Sequence, residues 1–418
     1  MTPLHAATTL PALLAATRRA SRGHRSAPEV AAFRMDAERR CLHLQRALRR
    51  PLTDPDAWQP GPARTFRLTD PKPRLITVSQ FSDRVVHHAL IAAIEPALER
   101  YATGGSYACR VGRGQHAAVL QAQRYTRAAP WALKLDIARY FATIPHDHLL
   151  ATLRRRVRDP GLLGCLTRIV QAGGLQGLPI GALTSQHLAN LYLGRLDHWL
   201  TDDQGHRRVL RYMDDTLIFG ERDALRRLWD SVAVFLREQL GLSLNPRVSG
   251  LFPVRHGVPF LGWRIYPRLL RPRPATWKRA RRRHRWLEAQ LSAGTISEDE
   301  AAIIARSLFA HLQFGDTHRL RCSHLHRMGT RLSRLQPGQP GRLLEQQAGQ
   351  RPVCQSQQEH AVQVEQQPRP PARQHGADSS GGGGLRTLVQ HNSTDPTGVQ
   401  RQPGLHRLAE ATLPGGGT

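Results

Sequence analysis

The chain has 418 residues, and its 60 Lys and Arg side chains exceed 32 Asp and Glu side chains, giving a net charge of +28. An excess of this size is typical of a protein that binds a polyanion, most often nucleic acid, although a solubilising charge or Arg-rich codon usage would also produce it. The composition excludes a helix that spans a bilayer, because no apolar run approaches the ~20 residues that such a helix needs.

Residues 1–60 are predicted to form a helical N-terminal extension. Apolar residues such as Val30, Phe33 and Leu48 stand there among basic side chains. Residues 83–101 also have helical spacing, with one apolar stripe. Pro96 is expected to kink or divide this second helix, because proline removes a backbone hydrogen bond and its ring clashes with the preceding turn.

Two strand-like segments farther along the chain carry acidic residues at their ends. Residues 131–137 alternate apolar and other side chains as a strand does, and Asp136 closes the segment. Residues 209–220 are predicted to form two short strands joined by a tight turn at Asp214 and Asp215. Carboxylates beside core strands are costly unless they are paired or bound to metal. An ordinary surface turn is the alternative, since Asp pairs are common in turns.

Three carboxylates from two strands suit one kind of chemistry. Such a set can hold two divalent ions about 3.5–4 Å apart, the arrangement used for in-line nucleotidyl transfer. Hard oxygen ligands favour Mg²⁺ or Mn²⁺ and need no histidine. The sequence therefore predicts a site for two Mg²⁺ ions, with Mn²⁺ as a substitute.

Six segments, in order over roughly residues 20–330, resemble motifs of bacterial reverse transcriptases. RYMDDTLIFG (211–220) is similar to the YxDD hairpin, and ALKLDIARYFATIPHDHL (132–149) to the palm motif that carries the first metal-binding acid. GLPIGALTSQHLANLYLGRLD (177–197) is similar to the motif along the template and nascent base pair, and FLGWRIYP (260–267) to the primer grip. Residues 72–90 and 106–119 resemble fingers motifs of the group II intron-like enzymes.

The resemblance implies an α+β, right-hand polymerase fold. Its parts would be a helical N-terminal extension (1–60), fingers and palm forming the reverse transcriptase domain (61–265), a helical thumb (266–335) and a disordered tail (336–418). After residue 335 there is no Phe, Tyr, Trp or Lys. A segment without aromatic residues buries little apolar surface, which is typical of disorder.

The resemblance also assigns roles to matching positions. The catalytic and metal-binding residues would be Asp136, Asp214 and Asp215, with Ile137 in the metal site. The nucleotide-binding residues would be Lys72, Arg74, Phe141, Pro179, Ile180 and Gly181. The template- and primer-binding residues would be Ser185, Gln186, Tyr212, Met213, Leu261 and Gly262.

Several of these roles have plainer alternatives. Phe141 would be the aromatic steric gate that excludes a ribose 2′-hydroxyl, or else a core residue. Lys72 and Arg74 would grip the triphosphate, Arg as a fork and Lys as a point charge, or else be ordinary surface charges. The small residues near Gly181 and Ser185 would allow close approach of a base pair, or else serve helix packing. The basic segment 277–286 would contact backbone phosphates, or else be a solvated helix face.

One departure from the common motif points to a subfamily. Many reverse transcriptases have Gln after the motif's proline and Ser-Pro later, whereas residues 178–181 read Leu-Pro-Ile-Gly and residues 184–186 read Thr-Ser-Gln. This version resembles the enzymes of diversity-generating retroelements, which copy a template-repeat RNA and misincorporate opposite its adenines. Because Ile180 cannot make the polar contacts of Gln, looser base selection is expected.

The tail offers a second indication of the same kind. Residues 343–374 are rich in Gln and Glu. If one nucleotide is removed before this segment and suitable codons are assumed, the shifted reading frame encodes an Asn-rich sequence. Such a sequence resembles those of template repeats. The tail is therefore interpreted as a template repeat read out of frame, with an arbitrary Gln-rich tail as the alternative. His318, Cys322, His324 and His326 invite a zinc interpretation, but their spacing is not that of a known finger.

The function predicted from these observations is RNA-templated addition of deoxynucleotides to a 3′-hydroxyl, used for error-prone retroelement mutagenesis. The expected partners are template RNA, a cDNA primer, deoxynucleoside triphosphates and a small basic accessory protein, with no membrane. Cysteines without close spacing favour a cytoplasmic location, in a bacterium or for a phage-encoded protein. A group II intron-like or antiviral reverse transcriptase is the main alternative, although no maturase or endonuclease segment is expected after residue 335. A catalytically idle RNA-binding protein is disfavoured by the intact acids.

Overall fold

The computed structural model describes residues 1–69 and 73–328. Lys72 and residues 329–418, which include the predicted disordered tail, lie outside the described residues. The helices are α1 Pro3–Ala7, α2 Leu10–Ala20, α3 Pro28–Met35, α4 Ala37–Arg49, α5 Phe81–Tyr101, α6 Gln115–Thr126, α7 Tyr140–Thr143, α8 His146–Arg154, α9 Pro160–Gln171, α10 Leu183–His198, α11 Arg222–Leu240, α12 Pro274–Ser292, α13 Glu298–Gln313 and α14 His318–Met328. A π-helical turn, Trp199–Asp203, follows α10, and a 3₁₀ turn covers Val254–His256.

The strands form three antiparallel sheets. Their bounds are β1 Arg64–Leu68, β2 Arg74–Val78, β3 Trp131–Leu135, β4 Val209–Tyr212, β5 Asp215–Gly220, β6 Gly250–Pro253, β7 Val258–Phe260, β8 Trp263–Tyr266 and β9 Leu269–Pro272. β1 pairs with β2, the central sheet has the order β4-β5-β3-β6, and the third sheet has the order β7-β8-β9. The predicted strand at 131–137, the hairpin at 209–220 and the mixed α+β class are thus confirmed.

The central sheet is buried on both faces, because alternate residues of its strands enter two different cores. Leu133 and Leu135 of β3 lie in the first core, with the N-terminal helices and α5, α8 to α11. Ala132 of the same strand lies in the second core, which also includes α6 and the β7–β9 sheet. A third core joins α12 to α13. The sheet therefore connects the N-terminal half of the chain to the strands that precede α12.

The N-terminal helices do not form a layer of their own. Leu13 of α2, Val30 of α3 and Leu44 of α4 belong to the same core as the central sheet, and α2 and α3 both pack against α5. The helical content predicted for residues 1–60 is confirmed. The proposed boundaries between extension, fingers and palm, and thumb stay predictions.

Pro96 does not divide its helix, since α5 continues through Pro96 to Tyr101, while the alternative expectation of a kink stays a prediction. A proline inside a helix costs about 3 kcal/mol. The same helix buries Leu90, Ile91 and Ile94 almost completely, and each such side chain contributes roughly 1.5–3 kcal/mol. Packing of the apolar face thus outweighs the local penalty. None of the helices in the described ranges has the length and apolarity needed to cross a membrane.

Candidate active site

The three predicted acids meet at one end of the central sheet. β4 and β5 form a hairpin in which Tyr212 pairs with Asp215, so Met213 and Asp214 are its two turn residues. β3 lies next to β5, and its register pairs Leu135 with Thr216. The next residue along β3, Asp136, is therefore brought beside Asp215. Strand pairing thus places three carboxylates at adjoining strand ends.

These carboxylates repel one another in a half-buried setting. Burial raises the pKa of Asp214 to about 6, and the charges of Asp215 and Asp136 act in the same direction, while Arg74 opposes them. Burial also raises the pKa of Asp215, with a further contribution from Asp136. Lys134 and Arg273 act against this second shift. Burial, followed by the mutual repulsion of the acids, therefore opposes ionisation of Asp214 and Asp215.

Lys134 is a cation at the site that the sequence analysis did not single out. Its side chain is buried on the face of β3 opposite Leu133 and Leu135, and its Nζ lies 2.6 Å from Oδ1 of Asp215. The strand alternation places Lys134 on that face, but burial of a lysine could not be inferred from one strand. Arg273, at the start of α12, is a second such cation.

Two further residues orient Asp136. The Asn245 side-chain amide donates to Oδ2 of Asp136 over 2.9 Å, and the Asn245 backbone N–H donates to the Asp136 carbonyl over 2.8 Å. The Asp136 N–H donates to the Ser249 hydroxyl over 3.0 Å. These contacts fix one carboxylate oxygen and leave Oδ1 without a contact from this loop. Ile137 has its side chain buried in the first core, so only its backbone can take part in a metal site.

A buried ion pair contacts the β4–β5 hairpin on the side of α10. Arg211 of β4 and Asp197 of α10 are each 1% exposed and share two hydrogen bonds of 2.7 and 2.5 Å. The Arg211 guanidinium also donates to the Met213 carbonyl over 3.0 Å and to the Asn190 side-chain oxygen over 2.6 Å. Met213 has a φ of +56°, which is unfavourable for a residue with a side chain. Arg211 therefore braces a strained turn.

The donor set fits a hard divalent cation in its chemistry. Mg²⁺ and Mn²⁺ prefer carboxylate oxygens, and added positive charge would act against the burial and the repulsion that raise the pKa of Asp214. In the present arrangement, no group of three or more Asp, Glu, His or Cys side chains in the described residues is gathered closely enough to enclose a metal. The carboxylates that would hold the metal are Asp136, Asp214 and Asp215.

Backbone hydrogen bonds connect the three segments that carry the predicted nucleotide-binding residues of the described part of the chain. The Leu178 N–H donates to the Phe141 carbonyl over 2.6 Å, and the Thr77 N–H donates to the Ile180 carbonyl over 2.7 Å. The segment 177–181 thus links the loop that carries Phe141 to β2, the strand that begins with Arg74. A Cβ at Gly181, where φ is +125°, would lie 2.3 Å from the Thr77 carbonyl oxygen. Only glycine permits this approach.

The predicted nucleotide-binding residues differ in their exposure to solvent. Arg74 is exposed and its charge acts on Asp214. Pro179, Ile180 and Gly181 are half-buried. Phe141 is also half-buried, packs on the first core and makes an edge contact with the Tyr140 ring, with centroids 5.6 Å apart. Both predicted roles of Phe141, gate and packing residue, remain compatible with this position.

The predicted template- and primer-binding residues lie in three places, namely the start of α10, the β4–β5 hairpin and the turn between β7 and β8. Ser185 and Gln186 lie in the first turn of α10. Ser185 is 1% exposed, and within the described part of the chain its hydroxyl has no hydrogen-bond partner. The Cys109 sulfur atom lies 3.9 Å from the Gln186 side-chain oxygen. Tyr212 is buried in the second core, so its ring serves packing.

The predicted primer-grip segment, residues 260–267, includes the turn between β7 and β8 and the whole of β8. Leu261 and Gly262 both have positive φ, and Leu261 and Met213 border the same second core. The Gly262 carbonyl accepts hydrogen bonds from the Arg273 N–H over 2.9 Å and from the Thr276 hydroxyl over 3.1 Å. This turn is thereby tied to the start of α12, and through Arg273 to the acidic site.

The predicted basic helix is amphipathic. In α12, Ala280, His284 and Leu287 are buried, while the basic side chains Lys278, Arg279, Arg281, Arg282 and Arg285 are exposed.

The zinc interpretation gains no support. His284 and His324 are hydrogen-bonded over 3.1 Å, His318 lies beside Cys322, and no metal-binding group occurs in the described residues. The side chain of His326 lies outside them.

Residues 68–265 match the family described as reverse transcriptase (RNA-dependent DNA polymerase). This part of the chain is a reverse transcriptase domain. It contains the three acids, Arg74 and Phe141, together with the segment that links them and the primer-grip turn. The matched residues include five of the six motifs in full and six of the eight residues of the last, FLGWRIYP (260–267).

Intron-encoded proteins are among the relatives of this domain. The chain is 22% identical over 258 residues to the COX1/OXI3 intron 2 protein of Saccharomyces cerevisiae, covering 46% of this chain and 30% of the relative. It is 28% identical over 192 residues to protein YkfC of Escherichia coli, covering 41% and 50%. It is 25% identical over 155 residues to the group II intron-encoded protein LtrA of Lactococcus lactis, covering 34% and 26%. The chain therefore spans half or less of the length of each of these relatives.

Proposed function

We propose that this protein is an RNA-directed DNA polymerase that extends a DNA primer along an RNA template. The observation that carries the proposal is the placement of Asp136, Asp214 and Asp215 at adjoining strand ends within a reverse transcriptase domain. Their mutual repulsion is the charge pattern that a polymerase site needs before its cations bind. The reaction would join the primer 3′-oxygen to the α-phosphorus of a deoxynucleoside triphosphate and release pyrophosphate.

Two Mg²⁺ ions, or Mn²⁺, held by the three carboxylates would activate the primer hydroxyl and neutralise the triphosphate. The chain's own residues would do the rest. Asn245 and Ser249 orient Asp136. Arg211 fixes the turn that carries Asp214. Lys134 lies beside Asp215 and acts against the rise in the pKa of Asp215 that burial causes, so it favours the ionised carboxylate.

The substrates would be positioned from two sides. Arg74, with Lys72 before it, would bind the triphosphate as charged donors. Phe141 would stand against the sugar and exclude a 2′-hydroxyl. Leu261 and Gly262, tied to the start of α12, would support the primer end, and the exposed basic face of α12 would contact backbone phosphates without reading bases.

The biological role we propose is error-prone copying for a diversity-generating retroelement, together with a template RNA and a small basic accessory protein. Ile180 supports this role. Its carbonyl is used by Thr77, and its side chain offers no hydrogen bond to a nascent base pair. A group II intron-like role is the second candidate, and the similarity to intron-encoded proteins favours it.

Primer extension tests the activity, and its error spectrum separates the two roles. The assay would use a DNA primer on an RNA template with one run of mixed sequence and one adenine-rich run. Extension with Mg²⁺ that is lost in Asp214→Asn is the expected result. Misincorporation concentrated opposite adenine supports the retroelement role, whereas uniformly low error supports an intron-like enzyme. No extension by the wild type on any primed RNA would overturn the proposed activity.

A further inference from the structure

A basic cleft of about 1020 Å³ lies at the C-terminal end of α10. Its walls come from α1, residues 93–101 of α5, the connection from α8 to α9 with the start of α9, the end of α10 with the π-helical turn, and α11. Ser185, in the first turn of α10, belongs to the candidate active site, whereas His198 at its end lines the cleft. These residues are thirteen positions apart on one helix, which is about 20 Å. The cleft is therefore separate from the polymerase site.

The cleft is strongly positive. Five of its lining residues are arginines, namely Arg100, Arg155, Arg156, Arg158 and Arg195. The lining contains two acidic side chains, Asp159 and Asp203, so the balance is +3. Asp159 is already used, because its carboxylate accepts the backbone N–H groups of Leu162 and Leu4 over 2.9 and 3.1 Å.

Among the described residues, none of these five guanidinium groups takes part in an ion pair. The Arg195 guanidinium donates to the Gln239 carbonyl over 3.0 Å, and the Arg156 guanidinium lies 4.0 Å from the centroid of the Tyr101 ring. Arg155 and Arg158 are exposed and point to no acidic partner. So much uncompensated charge in one concave place raises the local concentration of anions.

Aromatic rings lie between the arginines. Tyr101, Trp199 and Phe235 line the cleft and are half-buried. Trp199 and Phe235 stack with ring centroids 4.5 Å apart and planes 18° apart. Arginines with interleaved aromatic rings are the means by which proteins hold single-stranded nucleic acid, since guanidinium groups bind phosphates and rings or guanidinium planes stack on bases. An acidic peptide would use the arginines but has no need of flat ring faces.

We propose that this cleft binds a single-stranded segment of RNA outside the template–primer duplex, so that the protein holds its RNA at a second place. The inference rests on the proposed function only in that RNA is then already a partner of the chain. Binding at the cleft does not need the acids, and catalysis does not need the cleft arginines. The two proposals can therefore fail separately.

The test measures binding of a fluorescein-labelled, 20-nucleotide single-stranded RNA of mixed sequence by anisotropy. A saturating unlabelled RNA–DNA primer–template occupies the polymerase site throughout. The variant is Arg155→Glu with Arg158→Glu, and the matched control is Arg226→Glu with Arg227→Glu on α11. All four arginines are exposed, and both pairs change the net charge by the same amount.

The cleft variant should bind the RNA at least tenfold more weakly than the control. The slope of log K against log salt concentration should be less steep for the cleft variant than for the control, by about 1.4. Two phosphate contacts are lost, and each contributes about 0.7 to this slope for a single strand. Cross-linking of 4-thiouridine RNA to the wild type should label peptides within residues 93–101, 155–162 or 195–203. Both double variants should extend a short primed template as the wild type does.

Equal affinities of the two double variants, or cross-links confined to other peptides, would overturn the proposal. So would complete displacement of the RNA from the wild type by polyglutamate at equal charge concentration, which would indicate an acidic protein as the partner. Absence of primer extension by the wild type, with RNA binding at the cleft intact, would instead contradict the proposed polymerase function alone.

Discussion

Replacing Asp214 with Asn removes one negative charge from the β4–β5 hairpin while keeping the size and shape of the side chain. The folded state raises the pKa of Asp214 from its ordinary value of 3.8 to about 6. A shift of about two pKa units corresponds to roughly 3 kcal/mol. Because the pKa is raised in the folded state, folding favours the protonated carboxyl. The roughly 3 kcal/mol is therefore part of the free energy of unfolding below the ordinary pKa of Asp, and it is lost as pH rises through 6. Without metal, the ionised carboxylate therefore destabilises the fold at neutral pH.

Asp214→Asn should consequently be more stable than the wild type in EDTA at pH 7.5, by up to about 3 kcal/mol. The gain should fall to roughly half at pH 5, where the wild-type carboxyl is largely protonated in the folded state. Thermal melting at both pH values measures this. MgCl₂ at about 10 mM, a concentration chosen to saturate a weak site, should raise the melting temperature of the wild type. The melting temperature of the variant should not change. Asp230→Asn, an exposed acid on α11, is the matched control and should change neither value.

The same variant should lose primer extension. A melting temperature in EDTA at pH 7.5 that falls below that of the wild type would refute the repulsion argument, because the carboxylate would then be stabilising. Extension within about tenfold of the wild type, which is about 1.4 kcal/mol in the barrier, would refute the metal role. The two results are independent, since the first concerns the metal-free protein and the second the reaction.

Three further substitutions test the surroundings of the acids. Phe141→Ala should increase ribonucleotide relative to deoxynucleotide incorporation in primer extension, and unchanged discrimination would leave Phe141 as a packing residue. Ile180→Gln should reduce misincorporation opposite template adenine by about 10–100-fold, corresponding to a few kcal/mol of added discrimination; equal error spectra from sequenced cDNA would remove Ile180 from the argument. Arg211→Leu should lower the free energy of unfolding in urea by about 3–5 kcal/mol, because it leaves Asp197 buried without its partner. A loss below about 1 kcal/mol would contradict that account.

The sequence determined the parts of the site that depend on local pattern. Apolar alternation predicted β3, and the acids between two apolar segments predicted the β4–β5 turn. The helical spacing of α5 and the basic composition of α12 were also evident. These features depend on neighbours within a few positions of one another, which a linear sequence displays directly.

Only the tertiary structure decided which distant residues meet. Asp136 lies beside Asp215 because β3 pairs with β5, although the two acids are separated by 78 intervening residues. Lys134 carried no signal in the sequence, and it lies beside Asp215 in the candidate site because both faces of the sheet are covered. Arg211 and Asp197 lie on different elements, and nothing in their spacing indicates a buried pair.

The same physical reason explains the errors and omissions elsewhere. Pro96 was weighed by its local cost, but the burial of Leu90 and Ile94 against the N-terminal helices decides that α5 continues. The arginines of the cleft come from α5, from the connection between α8 and α9, and from α10, so no single segment of sequence displays the cluster. Local periodicity fixes which face of each element is apolar. Packing free energy, summed over contacts between elements distant in the chain, fixes what each face meets.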